Sequence, residues 1–476
     1  MTAQLSSRLL YGILLLGIWI ESVHAISEFT PVRVRDRIVI VAPHPDDEVL
    51  AASGLIQQAI AVGAKVKIFY LTNGDHNQAA YRRYTQRQQH PSFRPTQFAL
   101  GEQRRVEASA AMQLLGLASK NLIFLGYPDW STLRLWRDYW ETDEVLFNNA
   151  TGVDRVPYPE DFSYRHAYRS ENITADLCAT LRTFKPTRVF VTHPCDTHPD
   201  HRAAANFVQL ALLELEAEGI RPELDFYIVH FGSWPATLNY HPTLPLEPPR
   251  TLRDDSDWQS LPLTPKQIQR KYQAILTNQT QVTDQRGLLT AFARTNELFA
   301  TGQAPTVPLL PEHAELDWTK AAHLRALAVL PSESGYVTNS LAELPSSKTV
   351  VDLECIDFLR QDDDLVAQLN LKNLTGQRGN VRLLLFGYRQ GTAFASLPKV
   401  QINITPDNRL NVQITHEGVE DPGVTLTNID TRMILRIPLK LLGGTDIDHL
   451  FATAIAYFGA KIADDTAWHL LRISPN

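Results

Sequence analysis

The stretch RIVIVAPHPDDEVLAASG, Arg37 to Gly54, sets an apolar β-branched run directly before one histidine and three consecutive acids, with a helix-period segment behind them. Asp46, Asp47 and Glu48 repel one another, and acids placed against a buried strand are costly to desolvate. They are therefore either exposed or held by something cationic. Strand, polar turn and helix in that order also form the opening unit of a parallel sheet flanked by helices.

The alternation continues down the chain. KVKIFYLT (65–72) reads as a second strand after the stop at Gly63, and it runs into the polar loop NGDH. A helix over GEQRRVEASAAMQLLG, a strand NLIFLG, a helix through LCATLRTF, a strand TRVFVT and a helix from His201 through ALLELEAEG follow. The predicted fold class is α/β, a Rossmann-like, mainly parallel sheet flanked by helices. Beyond about residue 348 the period changes to two, with alternation at Leu365 to Leu371, Val400 to Ile404, Leu410 to Ile414, Met433 to Ile437 and Ala452 to Phe458. Turn residues such as Thr375-Gly376 and Pro406-Asp407 separate these runs, so an all-β sandwich domain of roughly 130 residues is expected.

The resulting domain reading is a leader over 1–25, an α/β domain over 33–316, a connecting segment over 317–347 and a sandwich over 348–476. Within the α/β domain, residues 129–168 form an aromatic-rich insertion, longer than an ordinary connection and set at a strand end where such folds bind ligands. It reads either as a substrate wall or as a segment packing its tryptophans on the domain surface. The apolar run Leu9 to Ile20 is short for a membrane span and is followed by small residues at Val23 and Ala25, so a cleaved signal peptide is expected, with an uncleaved anchor as the alternative. That places the protein outside the cell or in a periplasm, with no stable membrane insertion after cleavage. The net charge of −7 over 476 residues comes without a basic run, which argues against a nucleic-acid partner. Three scattered cysteines, Cys178, Cys195 and Cys355, do not make a disulfide framework.

A second polar cluster, THPCDTHPDHRAA from Thr192 to Ala205, follows the strand TRVFVT. In open α/β sheets the loops at the carboxyl ends of strands gather at one edge, so both clusters can meet there. Together they offer His44, Asp47, His198 and His201. Within each cluster the useful residues are three apart and enclose a proline, Pro45 or Pro199, which stiffens the turn. Two imidazoles and one carboxylate, with room for water, make an open catalytic metal site of the zinc type; Fe2+ accepts the same ligand set. A divalent ion neutralises one acid and brings a water toward a pKa of about 7. Asp46 is then free to act as a base, a protonated His198 stabilises the oxyanion, and Asp200 orients one histidine through its second nitrogen.

HPDDE (44–48) and HPDH (198–201), each after a strand, resemble the PIG-L/LmbE family of zinc-dependent N-acetylglucosamine deacetylases. TNG (72–74), RRVEA (104–108) and LGYPD (125–129) support the resemblance, which extends over roughly Arg37 to Val229. It implies that His44, Asp47 and His201 hold the metal, that Asp46 is the general base and His198 the oxyanion-stabilising histidine, and that Asp129 lies near the sugar. His193 and Asp196, inside the second cluster, are further candidates for substrate binding. The expected activity is removal of an N-acyl group from an N-acetylglucosamine-type sugar in an exported glycan or glycoconjugate.

Other readings are an amidase acting on another acyl conjugate and a non-catalytic glycan-binding protein. The latter should have lost a ligand or base, and none is lost. A dinucleotide oxidoreductase is excluded, because the first strand meets PHPDDE where a glycine-rich turn would be needed. The DDTAWHLLRI segment (464–473) loosely resembles carbohydrate-binding sandwich modules, although Trp468 at strand spacing is more often core than sugar platform. Oligomeric state is not legible.

Overall fold

A computed structural model describes residues 26–87, 97–140, 144–328, 351–372, 379–405, 407–415, 422–458 and 461–475. The expected leader, much of the connecting segment and the Thr375-Gly376 turn lie outside the described residues. The run behind Arg37 is buried on both faces, with Ile38 to Ala42 fully covered, a condition met only inside a sheet covered by helices on both sides.

That run is the second of eight strands in the first sheet: β1 (Ser27–Glu28), β2 (Arg37–Ala42), β3 (Lys65–Thr72), β4 (Leu122–Tyr127), β5 (Arg188–Thr192), β6 (Glu223–Tyr227), β7 (Trp258–Pro262) and β8 (Asn296–Thr301). Their order is β1-β7-β8-β6-β5-β2-β3-β4. Strands β6, β5, β2, β3 and β4 run parallel, and β8 lies antiparallel between β6 and β7. The chain winds outward from β2 through β3 to β4, then returns to place β5 on the other side of β2. Adjacent β2 and β5 thus form the topological switch point, and both motif loops leave its carboxyl end.

The helices are α1 (Asp47–Val62), α2 (Gln78–Arg87), α3 (Gln97–Leu115), α4 (Thr132–Asp138), α5 (Ser170–Phe184), α6 (Pro199–Glu216), α7 (Pro265–Thr277) and α8 (Gln279–Thr290). Helix α1 kinks at Ala52. The amides freed there, Gly54 N–H and Leu55 N–H, donate to the Glu297 carboxylate at 2.7 and 3.0 Å, and the buried Lys271 ammonium closes the arrangement at 2.7 Å. Glycine at 54 leaves room for the Leu263 side chain, which a Cβ there would displace while pressing on Glu297. Among the described residues no helix is long and apolar enough to cross a membrane.

The second half is a sandwich. One sheet contains β10 (Leu309–Leu310), β11 (Ala322–Arg325), β13 (Leu353–Gln361), β14 (Asp364–Leu371), β18 (Thr425–Ile429) and β19 (Arg432–Pro438). The other contains β9 (Thr306–Val307), β12 (Leu327–Ala328), β15 (Asn380–Tyr388), β16 (Lys399–Ile404), β17 (Leu410–Ile414), β20 (His449–Phe458), β21 (Lys461–Asp465) and β22 (His469–Ile473). Alternate residues of both, such as Ile356, Phe358, Leu383, Ile402 and Ala454, interleave in one core. Because β9 and β10 already pair with β22 and β13, the change from α/β sheet to sandwich falls between Thr301 and Thr306, ahead of the boundary expected at 316.

The two halves share a core. Trp136 of α4 lies among the rings of Trp140, Phe207, Phe394, Phe451 and Trp468, with centroid separations of 4.8 to 5.9 Å. The insertion therefore packs Trp136 and Trp140 against the sandwich and not on the domain surface. Trp468 is 4% exposed in this cluster, which removes it as a sugar platform.

Candidate metal centre and catalytic site

The two motif loops converge at the switch point. Asp46 caps α1 with φ 145°, a conformation outside the favoured regions for a non-glycine residue and of the kind stored at functional sites. Its carbonyl accepts the Val49 and Leu50 amides, both at 3.0 Å, and its own amide donates to Glu48 Oε2 at 3.1 Å. Burial, reinforced by Asp46, raises the Glu48 pKa to about 8. The Glu48 carboxyl thus braces the turn from within and does not face the cavity. Asp47 is already in the first turn of α1, where the helix dipole favours an anion. On the other loop His198 caps α6, and its Nδ1 accepts the Asp200 amide at 3.3 Å.

Three donor atoms meet between these loops. His44 Nδ1, Asp47 Oδ2 and His201 Nε2 are mutually 3.2 Å apart on all three edges. The far nitrogens fix the tautomers. His44 Nε2 lies 3.2 Å from Asp200 Oδ2 and 3.1 Å from Asp129 Oδ1, and His201 Nδ1 lies 3.1 Å from Asp196 Oδ2. With each far nitrogen protonated toward a carboxylate, the near nitrogens and Asp47 present lone pairs to one another with no proton between them. Zinc held tetrahedrally at about 2.0–2.1 Å requires ligand separations of about 3.3–3.4 Å. The donor set therefore fits a small divalent ion with one open position.

The electrostatics agree. Burial works against charge on either ring, but Asp129 and the other carboxylates push the His44 pKa well above its ordinary value, and Asp196 and Asp47 push His201 up to about 9. The cluster thus selects positive charge, as protons or as a metal ion. Burial raises the Asp46 pKa to about 6 against the pull of Arg104, whose guanidinium sits 3.2 Å from Asp46 Oδ2 and also donates to the carbonyls of Gly74 (2.9 Å) and Pro45 (3.0 Å). Gly74, with φ 66°, is needed there: a Cβ would overlap that guanidinium.

These residues open into a cavity of about 570 Å3 whose lining includes His44, Asp46, Asp47, Asp129, Trp130 and His198. Trp130, from the insertion, lies 4.3 Å from His198 between ring centroids, so one tryptophan of that segment does face the site. Asn77, Gln281 and Gln285 from α8 and the approach to α2 supply amides on the opposite side.

Three expectations are revised. Asp196 is fully buried behind His201 and lines no part of the cavity; its Oδ2 lies 3.1 Å from His201 Nδ1, and the carboxylate accepts the amides of His198, Val229 and His230 at 2.9–3.0 Å. It is a positioning residue, not a substrate contact. His193 is also away from the cavity: its Nδ1 accepts the Cys195 amide, its Nε2 meets Ser256 Oγ, each at 3.1 Å, and its ring stacks on Trp258. His198 does not carry the expected charge, because burial and the rings of His44, His201 and His230 hold its pKa well below the ordinary value. With Nδ1 accepting from Asp200 N–H, neutral His198 keeps its proton on Nε2. Asp200 is placed as expected behind His44, and its other oxygen accepts the Thr132 amide and hydroxyl.

His230 and Arg104 escaped the sequence reading. His230 lines the cavity with its ring 4.9 Å from that of His201; it follows β6, and the strand-end rule applied to β2 and β5 would have found it. Arg104 lies mid-helix in RRVEA, and nothing local distinguishes its buried side chain from a solvated one.

Residues 39–212 match the family model described as PIG-L, GlcNAc-PI de-N-acetylase. Two 1D-myo-inositol 2-acetamido-2-deoxy-alpha-D-glucopyranoside deacetylases, from Mycobacterium sp. strains KMS and JLS, are 29% identical over 168 residues, which is 35% of this chain and 46% of each relative. The chain thus matches about half the length of these curated relatives. Among solved structures, the N,N'-diacetylchitobiose deacetylase of Pyrococcus horikoshii is 19% identical with a TM-score of 0.35, covering 56% of this chain and 82% of that one. The 4-carboxy-2-hydroxymuconate hydratase of Pseudomonas putida KT2440 is 18% identical with a TM-score of 0.34, covering 54% and 82%. The segment that carries both motif loops, residues 39–212, is a PIG-L family domain.

Proposed function

We propose that the protein is a metal-dependent N-deacetylase acting on an N-acetylglucosamine-type sugar of an exported glycan or glycoconjugate. The observation that carries this reading is the triangle of His44 Nδ1, Asp47 Oδ2 and His201 Nε2, 3.2 Å on each edge, opening beside Asp46 into the cavity. A divalent ion held there, Zn2+ or Fe2+, supplies Lewis acidity to a water and to the amide carbonyl.

The chain's own residues do the rest. The Asp46 carboxylate, steered by Arg104, accepts a proton from the attacking water and passes it to the departing amine, so that amide and water become acetate and amine. His198 Nε2–H donates to the oxygen that gains charge as the carbonyl carbon becomes tetrahedral. Asp196 and Asp200 hold His201 and His44 in the required tautomers. Trp130 offers an apolar face to a sugar ring, while Asp129, which accepts the His76 amide at 2.8 Å, and the amides of Asn77 and Gln281 suit its hydroxyls.

The test is acetate release from a panel of N-acetylated amino sugars and oligosaccharides, with and without chelator, beside Asp46→Asn. Chelator-insensitive release would defeat metal dependence, and full activity in Asp46→Asn with metal retained would defeat the base assignment. Export rests on the Leu9–Ile20 run and the small residues at Val23 and Ala25; recovery of the protein in the cytoplasm with its first 25 residues intact would count against it.

A further inference from the structure

A second group of metal-ligating side chains lies in the sandwich, apart from the catalytic cavity. His323 on β11 pairs in register with Asp357 on β13, and Cys355 is two residues from Asp357 on the same strand face. Ile356 and Phe358 between and beyond them point into the sandwich core, so Cys355 and Asp357 share the outer face of that sheet. Ligand atoms of His323, Cys355 and Asp357 all lie within 4.8 Å of one another. The cysteine and the aspartate are each 8% exposed, while the His323 side chain is half exposed, so the group is sunk at its base and open on one side.

Its surroundings favour ligation. Asn370, opposite Cys355 on β14, donates through Nδ2 to Cys355 Sγ at 3.1 Å and to Asp357 Oδ2 at 2.7 Å, which orients both as acceptors. Gln368 donates to Asp357 Oδ2 from the other side at 3.4 Å, and its own Oε1, buried, has no hydrogen-bond partner among the described residues. The nearby cation, Arg325, is matched by Asp255 at 3.2 Å.

We propose that His323, Cys355 and Asp357 bind a second transition-metal ion, of the Zn2+ type, with a solvent position left open. One imidazole, one thiolate and one carboxylate form a mixed donor set suited to a borderline ion rather than to Ca2+ or Mg2+. His323 Nδ1 and Asp357 Oδ1, now 2.7 Å apart, need to open by about half an ångström to reach a tetrahedral edge of about 3.3 Å, and the half-exposed ring is free to do so. Binding forms bonds from the metal to Sγ, Nδ1 and a carboxylate oxygen and releases the thiol proton of Cys355 with any proton shared by His323 and Asp357. The ion ties β11, at the entry to the sandwich, to β13.

The test is titration of the purified full-length protein with Co2+ under a phosphine reductant, read by near-ultraviolet absorption and by metal content. Wild type is expected to show thiolate-to-cobalt charge transfer. Cys355→Ser and His323→Ala, with unchanged far-ultraviolet circular dichroism and unchanged deacetylase activity, should lose that band and one equivalent of metal. His201→Ala should keep the band and lose the other equivalent, since no cysteine faces the catalytic ion. Absence of the band in wild type, or its survival in Cys355→Ser or His323→Ala, would overturn the proposal.

Discussion

Replacing Asp196 by Asn separates a residue that positions a metal ligand from one that touches substrate. Asp196 Oδ1 accepts the His198 amide at 2.9 Å; Oδ2 accepts the amides of Val229 (3.0 Å) and His230 (2.9 Å) and lies 3.1 Å from His201 Nδ1. Four donors thus converge on one carboxylate that is fully buried. Burial opposes its ionisation, yet His201 overcomes this and holds the Asp196 pKa below the ordinary carboxylate value. An asparagine has the same shape but one acceptor oxygen. In either orientation its NH2 group faces at least one of those donors, and a buried polar group left unpaired costs about 1–3 kcal/mol. The His201 tautomer that leaves Nε2 free for the metal also loses its charged partner, and losses of this kind cost about 10–100-fold in metal affinity, or about 1.4–2.8 kcal/mol.

The assay is competition for Zn2+ or Co2+ against a chromophoric chelator, alongside kcat and KM for deacetylation at saturating metal. We expect metal affinity to fall 10–100-fold, with KM for the sugar little changed once metal is saturating. A folded Asp196→Asn protein with unaltered metal affinity and a raised KM would refute the reasoning and return Asp196 to the substrate side of the site.

Three other perturbations probe the scaffold. Trp136→Ala removes the ring at the centre of the shared aromatic core and should cost about 3–5 kcal/mol in denaturant unfolding; a loss below 1 kcal/mol would mean that the two halves do not depend on this contact. Lys271→Met strands the Glu297 carboxylate that caps the second part of α1, with an expected loss of about 3–5 kcal/mol, and the double variant with Glu297→Gln should recover part of it. Asp465→Ala leaves the Arg202 guanidinium, 1% exposed, without its partner at 2.9 Å and should cost a similar amount. A lowered kcat is expected beside it, and an unchanged kcat at equal metal loading would separate this ion pair from the site.

The sequence was most informative where one physical demand acted alone. RIVIV and the IFYLT part of KVKIFYLT became the buried lengths of β2 and β3 because an apolar run without alternation has one good location, the interior of a covered sheet. The meeting of HPDDE with HPDH followed from topology, since β2 and β5 flank the switch point. Spacing could not divide labour within the second cluster. Asp196 and Asp200 lie on opposite sides of His198 in sequence, and whether each turns toward the cavity or behind a histidine depends on Val229, His230, Trp130 and Thr132, which come from two other parts of the chain. The burial of Trp136 was illegible for the same reason, because its partners Phe394, Phe451 and Trp468 lie in the other half.

These placements change what the sandwich is for. Arg202 follows His201 directly, and its guanidinium reaches in two directions: Nε donates to the Asp196 carbonyl at 2.6 Å, and NH1 to Asp465 of β21 at 2.9 Å. Asp196 in turn lies against His201, so a strand of the sandwich stands three contacts from a proposed metal ligand. Beside this contact, Cys195 Sγ lies 3.7 Å from His469 Nε2 of β22, and Trp136, a short helix away from Trp130 in the cavity wall, is set in the sandwich's aromatic face. A tethered sugar-binding module would meet the α/β domain through a thin polar interface and leave its aromatics free. Here the aromatics are spent on the interface and a buried ion pair crosses it beside the catalytic loop, the arrangement of a support that holds the loop's geometry.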